Sequence, residues 1–195
     1  MYIELTDHLR CPADHEERFL VLLPDQVEGR SVRLGQLGCP LCGRVFDLVD
    51  GALNFGDGEL STEAETRLDA DSLTPLAGVE GPGGYLVLVG APAAGWQELA
   101  ERLPGVGLVA VNPPPGVPDQ ARLSVLRAPN LPLKTHSMRG VVLGAPYGSD
   151  LHWVREAARV VLPGLRVVAE GSDPPSEVID LMASAGGVWV GTARR

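Results

Sequence analysis

The chain has 195 residues, 45% of them hydrophobic, and a formal net charge of −9; this length suits a small domain plus a medium one, and the apolar fraction excludes global disorder. Residues 1–60 carry five arginines against eleven acidic groups, residues 61–82 one against five, and residues 83–195 ten basic against nine acidic. An acidic front argues against non-specific nucleic-acid binding, which needs clustered Lys and Arg, and favours a basic protein surface as partner; a nucleic-acid-binding ribbon is the least favoured reading.

All three cysteines fall within the first 42 residues. Met1-Tyr2-Ile3-Glu4 lacks the basic start and apolar run of a secretion signal, so a reducing, cytoplasmic setting is expected. In that setting cysteines at metal spacing imply a bound ion and not disulfides. Cys39-Pro40-Leu41-Cys42-Gly43 is a C-x-x-C-G knuckle, whose two-residue spacer lets both thiolates face one ion. The opposite knuckle starts at Cys11-Pro12-Ala13-Asp14-His15. Zinc takes four tetrahedral ligands, and imidazole is the better donor, so Cys11, His15, Cys39 and Cys42 are the expected set. Asp14 remains open as the fourth ligand or as an acceptor for the imidazole N–H. Four protein ligands would close the site and make it structural.

Strands are expected at Phe19–Leu23 and Arg44–Val49, with a strand or turn at Val27–Arg33 and a turn at Asp50-Gly51. Residues 1–57 thus outline a zinc ribbon. Leu9-Arg10-Cys11-Pro12 together with Leu37 through Gly51 resembles the small zinc-ribbon family of tRNA- and rRNA-methyltransferase activator subunits. The departure is Asp14-His15, where that family has its second cysteine. The resemblance implies a protein-binding or stabilising module for a methyltransferase.

Residues 58–82 form a connector. Thr62-Glu63-Ala64-Glu65 is a capping box that predicts a linker helix from Thr62 to Leu76, before Gly81-Pro82-Gly83-Gly84 breaks the chain. From residue 83 to 195 strands and helices alternate. Strands are predicted at 85–89, 107–111, 122–126, 140–143, 165–169 and 188–191. Helices are predicted at 96–103, at 151–161 and at 176–185, the last capped by Asp173 with Pro174 in its first turn. The alternation predicts an α/β, doubly wound, Rossmann-like sheet.

The stretch Glu156-Ala157-Ala158-Arg159-Val160-Val161-Leu162-Pro163-Gly164, with Pro129-Asn130-Leu131-Pro132-Leu133 before it, resembles a class I S-adenosylmethionine-dependent methyltransferase. That likeness implies a cofactor loop after the first strand and an acidic ribose-binding residue after the second. Gly90, Gly95 and Asn112 stand at those positions. Leu88 replaces the loop's acidic residue, Pro92 replaces its middle glycine, and Asn112 lacks the charge. Gly144-Ala145-Pro146-Tyr147 matches the substrate loop of amino-methyltransferases without its first Asn or Asp. The chain is also expected to stop about one hairpin early, which makes the domain truncated. His136 and His152 read as surface or capping histidines, and Trp96, Trp153 and Trp189 as packing residues.

The resulting expectation is a zinc-binding two-domain protein whose methyltransferase-like part is non-catalytic. It would act through protein–protein interaction, as a scaffold, a methyltransferase regulator or a homo-oligomer. The alternative is an active S-adenosylmethionine-dependent methyltransferase with an atypical loop. No membrane span is expected.

Overall fold

The structure is a computed structural model and describes residues 1–56 and 65–194. A 3-10 turn at Ile3–His8 leads to four strands: β1 (Val21–Glu28), β2 (Ser31–Gly38), β3 (Val45–Val49) and β4 (Ala52–Asn54). The β3–β4 turn is Asp50-Gly51, with φ of 51° and 80°, the pair of left-handed residues that a two-residue hairpin requires. Gly51 is also fixed by space, since a Cβ there would lie 2.4 Å from Asp119 Oδ1. That buried carboxylate pairs with Arg33 at 3.0 Å and with the Met1 ammonium at 2.7 Å.

The rest of the chain supplies α1 (Ala70–Ala77), β5 (Tyr85–Val89), α2 (Trp96–Arg102), β6 (Gly107–Val111), β7 (Leu123–Arg127), β8 (Met138–Leu143), α3 (Leu151–Val160), β9 (Val161–Glu170), β10 (Ile179–Ala185) and β11 (Val188–Ala193). All eleven strands belong to one sheet, ordered β1-β2-β3-β4-β7-β6-β5-β8-β9-β11-β10. Strands β7, β6, β5, β8 and β9 are parallel and reproduce the 3-2-1-4-5 order of a doubly wound sheet. Strand β11 is antiparallel to both β9 and β10. This is a mixed α/β sheet with a doubly wound parallel core, extended by the ribbon strands.

The join is made by β4, which pairs in parallel with β7: Ala52 with Val125, Leu53 with Leu126, Asn54 with Arg127. A second seam runs through the Leu9–Leu133 bridge and the bonds Arg10 N–H to Pro132 O (3.0 Å) and Lys134 N–H to His8 O (2.8 Å). The strand period of two sends neighbouring side chains to opposite faces. Leu86, Leu88 and Leu108 pack with Leu73 of α1 and Leu99 of α2. Val87, Val89 and Val109 pack with Leu5, Leu9, Leu37 and Phe46 of the ribbon and with Trp153 and Ala157 of α3. Ribbon and α/β part therefore share one sheet and one core.

Two expected helices are corrected. Residues 179–185 are strand β10, not a helix, because Ala185 pairs with Val188 across Gly186-Gly187, whose φ values are 61° and 77°. That turn fixes a hairpin and overrides the local helix preference of Leu181, Met182 and Ala183. Asp173 accepts a bond from Ser184 Oγ at 2.7 Å and caps no helix. The terminal hairpin is consequently present, contrary to the expected early stop, and residues 112–122, 128–137 and 171–178 contain no α-helix. The connector helix spans only Ala70–Ala77, and its N-cap is Asp69, which accepts from the Ser72 N–H at 2.8 Å. Thr62, on which the expected capping box rests, lies outside the described residues. Trp96, Trp153 and Trp189 are all buried packing residues.

An ionic cluster ties the first knuckle to α3. Glu156 pairs with Arg159 at 2.7 Å and Arg10 at 3.8 Å, and Glu17 accepts the N–H and Oγ1–H of Thr135, both at 2.9 Å. For both carboxylates burial pushes the pKa up. That effect is outweighed at Glu156 by Arg159 and Arg10, and at Glu17 by Thr135 and the same two arginines, so both lie below the ordinary 4.5. A carboxylate depressed on folding stabilises above its unfolded pKa and loses that stabilisation as pH falls through its folded pKa. Stability should therefore fall as pH drops below about 4.5, and Glu156→Gln should flatten that acid limb in urea melts across pH 3 to 6.

Candidate metal centre and cofactor crevice

Among the described residues, the ligand atoms of Cys11, His15, Cys39 and Cys42 lie within 4.8 Å of one another. The β2–β3 connection builds one half. Cys39 N–H bonds to Arg44 O at 2.8 Å and Gly43 N–H to Cys39 O at 3.0 Å. Gly43 takes φ 71°, which closes the knuckle. Cys11 N–H bonds to Arg18 O at 3.2 Å, which folds residues 11–18 back over that knuckle. His15 Nδ1 faces the Glu16 carbonyl at 2.7 Å; donation of Nδ1–H there leaves Nε2 as the lone-pair nitrogen aimed at the sulfurs. Asp14 is exposed and stands outside the cluster.

The spacing excludes a formed disulfide. Cys11 Sγ and Cys42 Sγ are 3.7 Å apart, and Cys39 Sγ and His15 Nε2 are 3.5 Å apart. A disulfide would need about 2.05 Å. A tetrahedral zinc ion with Zn–S of ~2.3 Å and Zn–N of ~2.05 Å holds two sulfurs ~3.75 Å apart, and sulfur and nitrogen ~3.55 Å apart. The donor set and these two spacings fit zinc.

The free thiols of the cluster differ in acidity. Burial pushes the Cys11 thiol up to about 12, while donation from the Arg44 backbone N–H and the neighbouring His15 pull the exposed Cys42 thiol down to about 6. The Glu16 carbonyl and the thiols Cys42 and Cys39 push the His15 imidazole up. Three sulfurs this close cannot all be thiolates without a central positive charge, so loading an ion releases protons. Cys11 and Cys39 are buried in the same core as Leu9 and Leu37, which couples the centre to the fold.

The second candidate site lies at the carboxyl ends of β5, β6 and β8, where open α/β sheets bind ligands. Gly90 has φ 73° and gives its N–H to Val111 O at 2.9 Å. Ala91, Pro92 and Ala93 are buried in a 3-10 turn. Pro92 fills the gap to β8, since a Cβ on Gly144 would lie 2.4 Å from Pro92 Cδ. Gly95 is exposed and precedes α2. Asn112 is 1% exposed with φ 48°, a left-handed conformation that Asn tolerates. Its Nδ2–H donates to Ala128 O at 2.8 Å and its Oδ1 accepts from Ala128 N–H at 2.9 Å. Both ends of this amide are thus spent on joining β6 to β7, a commitment no sequence pattern signalled. Tyr147 packs edge-on against Trp153, with ring centroids 4.7 Å apart. His152 sits in the first turn of α3, capped by Asp150.

Sequence reasoning also missed Glu170, the last residue of β9. It is 4% exposed and accepts from Ala145 N–H at 3.0 Å, Thr66 Oγ1 at 2.7 Å and the Arg67 N–H. A 410 Å³ cavity opens beside it, lined by Glu65, Arg67, Ala145 and Gly187.

No protein-family model and no curated protein matches the chain. Among solved structures it is similar to a chain of the complex between the Haloferax volcanii Trm112 methyltransferase activator and the putative methyltransferase. That alignment has 23% identity, covers 51% of this chain and 50% of that one, and has a TM-score of 0.43. It is similar as well to geranyl diphosphate C-methyltransferase from Streptomyces coelicolor A3(2), at 17% identity, covering 51% and 44% of the two chains with a TM-score of 0.44. A third likeness is to a putative sarcosine dimethylglycine methyltransferase from Galdieria sulphuraria, at 18% identity, 51% and 43% coverage and a TM-score of 0.41. The chain spans about half the length of these proteins or less. None of the described helices is long and apolar enough to cross a membrane.

With Nε2 of His15 in the cluster and Asp14 outside it, metal analysis of the purified protein should find about one zinc per chain. His15→Ala should weaken retention against a chelator while Asp14→Ala leaves it unchanged. Equal retention in both variants would remove His15 from the ligand set.

Proposed function

We propose that this protein is a structural zinc ribbon built into a methyltransferase-like α/β domain that does not catalyse methyl transfer, and that it works by binding other proteins. The observation that carries this reading is the state of the crevice. Pro92 packs into the place where a cofactor loop would offer backbone to a ligand, and the Asn112 amide is closed onto Ala128. A ribose diol needs a free acceptor at that position, and S-adenosylmethionine needs room between β5 and β8. The residues present do not fit it.

Zinc is assigned a structural role because four protein ligands leave no open coordination position. Apparent zinc affinity in small domains is ~10–16 kcal/mol, and here it would also hold part of the shared core. The ribbon edge β4 is consumed in cis by β7, so a partner in trans must use another surface. The outer face of β1–β3 is suited to that role. Val21, Leu23, Leu34, Val45 and Val49 are exposed there, and the register sets Val21, Gly38 and Val45 in one row. Exposed apolar patches of this kind mark protein contacts, and the surrounding acidic excess favours a basic partner, such as an active methyltransferase that this protein would regulate or scaffold.

Calorimetric titration of the zinc-loaded protein with S-adenosylmethionine should show no binding at millimolar cofactor; micromolar binding would overturn the reading in favour of an active methyltransferase using Gly90, Gly95 and Asn112. Asn112→Asp separates the two further. In a working crevice it would restore the missing ribose acceptor and tighten cofactor binding. Here it sets a carboxylate oxygen against Ala128 O and should cost about 1–3 kcal/mol of stability in urea melts, with no gain in binding.

A further inference from the structure

The three cysteines of the metal centre are not equivalent. Cys11 and Cys39 are 3% exposed, whereas Cys42 is exposed at the tip of its knuckle beside Leu41. The pairings differ as well. Cys42 Sγ faces Cys11 Sγ at 3.7 Å, and Cys39 Sγ faces the His15 ring nitrogen at 3.5 Å. Among the three cysteines only Cys42 is exposed to a solvent-borne oxidant, and its sulfur already stands against a second thiol.

We propose that Cys42 is an oxidation site of this protein, with Cys11 as its resolving partner and a peroxide as the oxidant. The proposal rests on the zinc reading of the cluster. The Cys42 thiolate attacks one peroxide oxygen; the S–O bond forms, the O–O bond breaks and hydroxide leaves. The Cys11 thiolate then attacks the Cys42 sulfur; the S–S bond forms, the S–O bond breaks and a second hydroxide leaves. Two sulfurs lose two electrons in total and one peroxide gains them. Closing from 3.7 Å to about 2.05 Å moves the exposed knuckle tip and leaves the buried Cys39 in place. Cys39 and His15 then remain as the only donors, too few to retain a tetrahedral ion. A dithiol returns both electrons and restores the four-ligand set, so the modification is reversible at this rung of cysteine oxidation.

Metal analysis of the purified protein comes first and addresses the zinc reading alone. Zinc-loaded protein is then treated with hydrogen peroxide in the presence of a chromogenic zinc chelator, and its non-reduced peptides are mapped by mass spectrometry. The expected result is release of the bound zinc together with a Cys11–Cys42 disulfide, both reversed by dithiothreitol and added zinc. Cys42→His keeps a fourth donor but removes the exposed sulfur, and its peroxide-driven release should be at least about tenfold slower. A Cys39–Cys42 disulfide, first oxidation at Cys11 or Cys39, or wild-type release from Cys42→His would overturn the proposal. If the purified protein carries no zinc, the zinc reading fails, and the disulfide map of the same sample still decides whether Cys42 and Cys11 pair.

Discussion

The pairing of β4 with β7 is the constraint on which the remaining structure depends. A three-residue strand is a weak element by itself, but here it caps the open edge of a parallel sheet. Parallel edges present unpaired N–H and C=O groups that natural proteins must cover. Ala52–Asn54 covers β7 and brings the β1–β3 meander with it, so the ribbon becomes an extension of the α/β sheet. Leu53 is fully buried at this junction, and Phe55 extends it through its N–H bond to Arg127 O at 2.8 Å.

That junction changes what the metal centre stabilises. In an isolated ribbon the ion would order about 50 residues with little core of their own. Here Cys11 and Cys39 lie in one continuous apolar cluster with Val87 and Val109 of the central strands. The charges reinforce the same contact: the Arg10, Glu17, Glu156 and Arg159 group clamps the first knuckle to α3. Packing and ion pairing both hold the ribbon to its own domain.

The crevice at the carboxyl ends of β5, β6 and β8 is filled by the chain's own residues. The parallel strand order and the Gly90 turn frame it. The Pro92 ring packs on Gly144 and fills the space between β5 and β8. Asn112, unlike a carboxylate, carries a donor as well as an acceptor, so it can satisfy both the C=O and the N–H of Ala128. A single amide thereby becomes a strand-joining clamp, and buried polar groups so paired are costly to disturb.

The sequence by itself determined the elements whose signals are local. The C-x-x-C-G knuckle, the Asp50-Gly51 turn and the continuous apolar runs of β5, β6 and β8 were legible because spacing, turn chemistry and periodicity act over a few residues. The preference for His15 over Asp14 follows from imidazole being the better zinc donor, and the bond from Nδ1 to Glu16 O turns Nε2 toward Cys39. Strand β10 was misread because Leu181, Met182 and Ala183 favour a helix locally, while a hairpin through Gly186-Gly187 and pairing with β11 decide the outcome. Tertiary structure alone decided that the ribbon docks on its own sheet, that the Asn112 amide is spent on Ala128 and that Glu170 is buried among three donors. Each is a contact between segments distant in the chain, and no short-range pattern encodes which distant backbone group a polar side chain will meet.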